Sequence, residues 1–353
     1  MSGENTSGKI SPSFMGNVIY PNLGARRSEI LVGPGAGLDT CVIDLGHDQA
    51  LVASTDPLSL IPLLGAEDSA WMSVNLLVND LSTSGLSPQY MMVDLNLPPS
   101  ITNDILTAYW KTLSEECATL GISIIGGNTG KFEGCDLTIV GSGTTLAIGR
   151  RKNIVVSNGA RQGNAVIITK GAAISTTGLL AKIFAKTVSK KLGGGIQRRC
   201  EACFRKISVM KDAMLAVSLG TGNLGVTAMH DVAEGGVLAS LMELAAASSL
   251  GMSIDKSRIP ISEETISLCD FFEIDPYWSL GEGALAVACI EEKSLEIVEE
   301  LTKGGVEAAI VGKMVSKNEG ITLTQDGEKF PITRPSTDPY WNAYYSAIAK
   351  KWV

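Results

Sequence analysis

Three aspartates in the first part of the chain, Asp39, Asp56 and Asp80, each stand where a strand-like run ends or a Gly-, Ser- or Thr-containing turn intervenes. Carboxylates delivered from separate segments are hard oxygen donors, the kind that bridge Mg2+ to nucleotide phosphates. A later segment, Met229-His-Asp-Val-Ala-Glu-Gly-Gly236, runs straight into an amphipathic stretch. Its Gly235-Gly236 pair would leave bare N–H groups at a helix start, where donors and dipole together favour an anion. Asp231 and Glu234 could ligate metal there, and His230 could donate to a phosphoryl oxygen. The bland alternatives are ordinary too: a turn aspartate, a helix cap at Asp231, a core or interface histidine at His230.

Gly126-Gly-Asn-Thr-Gly130 reads as a turn that could bring backbone N–H groups and the Thr129 hydroxyl against phosphate, or as a plain tight turn. Cys200-Glu-Ala-Cys203 lacks the further ligands a zinc site needs, since the chain has two histidines and no second C-x-x-C pair. Gly193-Gly-Gly195 lacks the Lys-Ser/Thr ending of a P-loop and reads as a helix stop. His47 falls in a polar turn and receives no role.

Strand, turn, strand, strand is expected over 28–60, which places Asp39 and Asp56 at strand edges. Ala70, Val74, Leu77 and Leu81 recur at helical spacing, and Asp80 rides near that helix's end, away from the stripe. A second helix opens at Asp104 with Leu106, Trp110, Leu113, Cys117 and Leu120 on one face. Strands follow at 122–125 and 137–148, and a polar crossing at 149–164. The second half restarts with a buried strand at 165–169, helices over about 177–191 and 199–219, and a helix bearing Val237, Leu241 and Leu244. A strand over 283–290, a helix over 293–303 and a strand over 308–315 close it. This order predicts two mixed α/β domains.

With 353 residues the chain exceeds what one core usually spans. We divide it into a domain at 1–155, a second at 160–320 and a tail at 321–353. Its 45% hydrophobic content suffices for real cores, and the net charge of −8 with scattered basic residues argues against a nucleic-acid partner. Seven irregularly placed cysteines fit reduced thiols, and apolar runs fall short of the roughly 20 residues of a membrane helix. A cytoplasmic location without membrane contact is expected.

Val32-Gly-Pro-Gly-Ala-Gly-Leu-Asp39, Thr55-Asp-Pro57, Val78-Asn-Asp-Leu81, Ile125-Gly-Gly-Asn-Thr129, Met229–Gly236 and Asp275-Pro276 with Gly281-Glu-Gly-Ala284 resemble, in order and spacing, the aminoimidazole ribonucleotide (AIR) synthase superfamily. That superfamily includes thiamine-monophosphate kinase, selenophosphate synthetase, formylglycinamidine ribonucleotide synthase and the hydrogenase maturation protein HypE, whose branch is most similar. The resemblance implies a two-domain fold like that of AIR synthase, with an N-terminal α/β domain that pairs with its copy in a homodimer, and ATP with Mg2+ between the domains. It implies Asp39, Asp56 and Asp80 as metal and phosphate ligands with Asn79 beside them. Gly126, Gly127, Asn128 and Thr129 would lie against the nucleotide, and Lys9 on an N-terminal arm would reach the phosphates. The chemistry implied is phosphorylation of an amide or carbonyl oxygen, or of a phosphate, on a small-molecule or protein-bound acceptor, which turns that oxygen into a leaving group. The departures are Thr40, Asn128 and Gly130, where the family often carries acids or a histidine; a nucleotide-binding scaffold without turnover and a thiamine-monophosphate kinase are the alternatives. HypE proteins modify a cysteine at their own C-terminus, whereas the last cysteine here is Cys289 and the chain ends in Ala349-Lys-Lys-Trp-Val353. Self-modification at the tail is therefore not expected.

Overall fold

The computed structural model describes residues 10–353. The first domain begins with a single turn, α1 (Pro12–Phe14), and continues through β1 (Ile30–Val32), β2 (Cys41–Gly46), β3 (Gln49–Ser59), α2 (Ala66–Ser82), β4 (Tyr90–Leu97), α3 (Asn103–Thr119), β5 (Ser123–Lys131) and β6 (Ile139–Arg150). Its sheet runs β1-β2-β3-β6-β4-β5, antiparallel except for the β4–β5 pair, which α3 connects. Val74, Leu77 and Val78 of α2 and Tyr109, Leu113 and Cys117 of α3 pack on one sheet face, against Leu58, Met91, Val93 and Leu95. Tyr109 takes the buried place expected for Trp110, which is exposed, because Tyr109, Leu113 and Cys117 stand four residues apart on the one face that meets the sheet. Among the described residues no helix of this domain covers the other sheet face, and Ile30, Tyr90, Met92 and Ile148 are exposed.

Two local expectations for this domain fail. Asp56 lies inside β3, not at its edge, because the strand continues past Asp56 to Ser59 opposite β6. Gly126–Gly130 is strand as well, paired in parallel with β4. Its glycines serve close approach: Gly127 has φ +146, and a Cβ there would lie 1.7 Å from the Val93 carbonyl oxygen.

The second domain comprises β7 (Ala165–Thr169), α4 (Ile174–Ile183), α5 (Ala185–Leu192), α6 (Gly194–Ala202), α7 (Met210–Val217), β8 (Val226–Asp231), α8 (Gly236–Ala247), β9 (Gly251–Asp255), α9 (Glu263–Phe272), β10 (Leu285–Cys289), α10 (Ser294–Lys303), β11 (Ala308–Val315), β12 (Ile321–Gln325), β13 (Glu328–Pro331) and α11 (Pro339–Ala349). The sheet order is β13-β12-β9-β11-β7-β10-β8. β7, β8 and β10 are buried throughout, with α8 on one face and α7 and α10 on the other, which explains their continuous apolar runs. The two long helices expected over 177–191 and 199–219 are each broken. The first breaks at Phe184, whose ring turns into the core; the second yields at Cys203–Lys206, where the chain passes so close to α4 that a Cβ on Gly178 would lie 2.3 Å from the Phe204 nitrogen. Residues 321–331, assigned to a tail from sequence, extend the second sheet, and only α11 and its flanks lie beyond it.

The domains share a core. Leu64 and Met72 join Leu179, Phe184, Phe204 and Tyr340 in one apolar cluster. At its rim Asp68 accepts Lys182 at 2.9 Å and Arg205 at 2.6 Å. The seven cysteines are free thiols, and no described helix is long and apolar enough to cross a membrane.

Candidate active site

Where the domains meet, α2 touches β8, the edge strand of the second sheet, and side chains from both halves converge. Asp39 arrives on the loop between β1 and β2. Gly37 lets that loop approach α8: it has φ +70, and a Cβ would lie 2.7 Å from the Glu243 carbonyl oxygen. Ser157, in the inter-domain crossing, donates to Asp39 Oδ2 at 3.2 Å. His230 and Asp231 end β8, and carboxylate or imidazole atoms of Asp39, His230 and Asp231 lie within 4.8 Å of one another.

Asp80 sits in the last turn of α2, a turn that contains no basic residue, at the negative end of the helix dipole. Burial pushes its carboxyl well above the usual range, and the charges of Asp231, Asp39 and Asp56 push it further. Asp39, Asp56, Asp80 and Asp231 thus form one acidic centre drawn from both domains. Crowded carboxylates with hard oxygen donors fit a divalent cation such as Mg2+, which would relieve their mutual repulsion.

His230 supplies the positive charge inside this group. Its Nδ1 lies 2.5 Å from Asp39 Oδ1 and its Nε2 lies 3.1 Å from Glu243 Oε2. Burial alone would lower its pKa, yet Asp39 and Glu243, through charge and hydrogen bonding, hold it well above the ordinary histidine value. Nε2 shares a hydrogen bond with Glu243, whereas Nδ1 faces Asp39 at contact distance but off the line of a good hydrogen bond, so His230 draws Asp39 mainly by charge, and its Nδ1 stays grouped with Asp39 and Asp231 among possible ligands.

Several expected roles are reassigned by the geometry. Asn79 is buried, donating to the Ile207 carbonyl at 2.7 Å and accepting the Val209 N–H at 2.8 Å, so it ties α2 to the second domain instead of facing phosphate. The Gly235 N–H donates to Asp338 Oδ2 at 2.7 Å and the Gly236 N–H to the Ala233 carbonyl at 3.1 Å. The anion site expected at this helix start is therefore filled by the chain's own carboxylate. The Glu234 carbonyl accepts from Arg334 at 2.9 Å, and burial raises the pKa of Asp338, to which the Glu234 carboxylate adds. Gly126, Gly127, Asn128 and Thr129 are not gathered with the acids. Asp56, Gly143, Val93 and Gly127 are successive partners across four strands, which separates Asp56 from Gly127 by about 14 Å at ordinary strand spacing. Asn128 instead donates to Asp94 on the open sheet face at 3.4 Å. Lys9 lies outside the described residues.

The sequence reading assigned no role to Glu243, Ser157, Arg334, Asp338 or Glu282. Glu282, inside the Gly281–Ala284 motif, accepts the Ser175 hydroxyl, and burial raises its pKa to about 8, with Asp231 and Asp338 adding to the shift. Glu243 stands on the polar side of an otherwise buried helix, a signal legible only once the helix is known to face the acids.

Comparison with known proteins agrees with this architecture. Residues 37–148 match the AIR synthase related protein N-terminal domain, and residues 161–324 match the corresponding C-terminal domain. The chain belongs to the AIR synthase-related family. A putative hydrogenase expression/formation protein of Methanocaldococcus jannaschii is 26% identical over 340 residues, 94% of this chain and 96% of that protein. Carbamoyl dehydratase HypE of Rhodobacter capsulatus is 25% identical over 250 residues, 69% of this chain and 68% of that one. Among solved structures, HypE in complex with ATP superposes with a TM-score of 0.66 at 20% identity, covering 95% of this chain and 97% of that one. Thiamine monophosphate kinase from Aquifex aeolicus gives 0.65 at 18%, covering 83% and 93%. At such identity these two matches establish the shared fold of the family, with its two α/β domains.

Proposed function

We propose that this family member is an ATP- and Mg2+-dependent enzyme, related to HypE, that phosphorylates an amide or carbonyl oxygen, or a phosphate, of a small-molecule or protein-bound acceptor. The observation that carries the reading is the meeting of Asp39, His230 and Asp231 from two domains, with Asp80 close enough that the charges of Asp231, Asp39 and Asp56 act on it. Asp39, Asp80 and Asp231 would hold Mg2+ with Asp56 beside them, and the metal–nucleotide would supply an electrophilic γ-phosphoryl group with part of its charge neutralised. The chain's own contribution is position: Asn79 and the shared core fix α2 against β8, and Gly37 admits the Asp39 loop to α8. The solved complexes of proteins that share this fold, HypE with ATP and a thiamine monophosphate kinase with AMPPCP and TMP, support nucleotide as the ligand.

Titration calorimetry with ATP and Mg2+ tests this reading. Saturable heat that needs the metal, absent in Asp80→Asn, is expected; no heat at millimolar nucleotide would remove the proposal. ATP bound without turnover in the wild type would instead support the nucleotide-binding scaffold, which the distance of β5 from the acidic centre favours. A homodimer formed through the first domain is part of the reading, supported by the helix-free sheet face with exposed Tyr90, Met92 and Ile148. Met92→Arg should convert the dimer to monomer in sedimentation velocity.

A further inference from the structure

Past the residues that match the family's two domains, the chain returns to the acidic centre through the side chain of Arg334. Arg334 Nη1 lies 2.5 Å from Glu243 Oε1, and its Nη2 donates to the Glu234 carbonyl at 2.9 Å. Glu243 Oε2 in turn lies 3.1 Å from His230 Nε2, and His230 Nδ1 lies 2.5 Å from Asp39 Oδ1. A planar guanidinium with two nitrogens engaged permits little rotation of the carboxylate it holds. Gly235 makes room for it: φ is +92, and a Cβ would lie 2.9 Å from Arg334 Nη2.

We propose that Arg334 is a positioning residue for the acidic centre, acting through Glu243 and His230 to set Asp39 for its cation. The proposal rests on the reading of that centre as a Mg2+–nucleotide site. Arg334 is not what keeps the C-terminal segment in place. Tyr340, Ala343 and Ala347 of α11 are buried in the shared core, and Trp352 stacks on Phe271 at 5.1 Å. Asp338 caps α11 at the Tyr340 N–H, 2.8 Å away, and also accepts the Gly235 N–H. Removal of the guanidinium should therefore loosen Glu243 and His230 while α11 stays docked.

The test measures Mn2+ binding to the full chain by the electron paramagnetic resonance signal of free Mn2+, with a non-hydrolysable ATP analogue present. Arg334→Ala should weaken Mn2+ binding about tenfold, the low end of the cost of losing a group bonded to a metal ligand, because Arg334 reaches Asp39 through Glu243 and His230. The Arg334 side chain is 34% exposed, so millimolar guanidinium can enter the vacated space and should restore most of the affinity. Asp338→Asn, which disturbs the same turn without touching Glu243, should change it less than twofold. Unchanged Mn2+ affinity in Arg334→Ala overturns the inference and leaves the reading of the centre standing. An equal loss in Asp338→Asn, or a loss in Arg334→Ala that guanidinium does not restore, assigns the effect to docking of the segment and overturns it too. Failure of the wild type to bind Mn2+ removes the reading of the centre itself.

Discussion

His230 Nδ1 lies 2.5 Å from Asp39 Oδ1, and the two residues come from different domains. The pair is buried, with side-chain exposures of 6% and 5%, so water cannot take over for a lost partner. His230→Gln leaves Asp39 and Glu243 without their shared cation, and removal of one member of a buried pair costs about 3–5 kcal/mol. Urea unfolding of the metal-free protein should show that loss. Saturating Mg2+ with nucleotide should recover part of it, because a cation at Asp39 replaces the missing charge.

Asp80→Asn should act in the opposite direction on the metal-free protein. Burial, three neighbouring aspartates and the end of α2 all disfavour its ionised form, so an uncharged isostere removes repulsion. Thermal unfolding without metal should occur at higher temperature than in the wild type, and the further increase with Mg2+ and ATP should disappear. A lower transition temperature in the metal-free variant would show that Asp80 is held by favourable contacts instead.

Much of this was legible in the sequence, for a physical reason. Asp39, Asp80 and Asp231 lie beside strand ends, turns and helix ends whose local patterns are strong, Asp56 lies within β3, and the family motifs gave their order. What was hidden is tertiary. The glycines at 126 and 127 looked like a turn because a sequence does not reveal that the Val93 backbone lies 1.7 Å from where a Cβ would be. Gly235 and Gly236 looked like an open anion site because the competing carboxylate, Asp338, belongs to a distant segment. Asn79, next to Asp80, looked like a ligand by adjacency, yet consecutive residues on a helix point about 100° apart. One faces the acids and the other the 207–209 backbone.

That division of labour makes Asn79→Ala informative. The substitution leaves the Ile207 carbonyl and the Val209 N–H without their partner in a buried place, and each orphaned group costs about 1–3 kcal/mol. The cost falls on the contact between domains, so hydrogen exchange at Val209 and along the last turns of α2 should accelerate together. Exchange in the second sheet should be unchanged.

Glu282 gives the protein a pH dependence whose sign follows from its pKa. The folded value of about 8 lies above the ordinary 4.5, so the folded state holds a proton that the unfolded chain has already released. Stability from this group is complete below about pH 4.5, declines as the pH rises, and is lost by the time the pH passes 8. Glu282→Gln keeps an acceptor for the Ser175 hydroxyl without a charge to bury. Denaturation midpoints measured from pH 6 to 9, a span bracketing that value, should fall in the wild type and stay nearly flat in the variant. Parallel slopes in the two proteins would mean that Glu282 is ionised across the whole range and that another group carries the dependence.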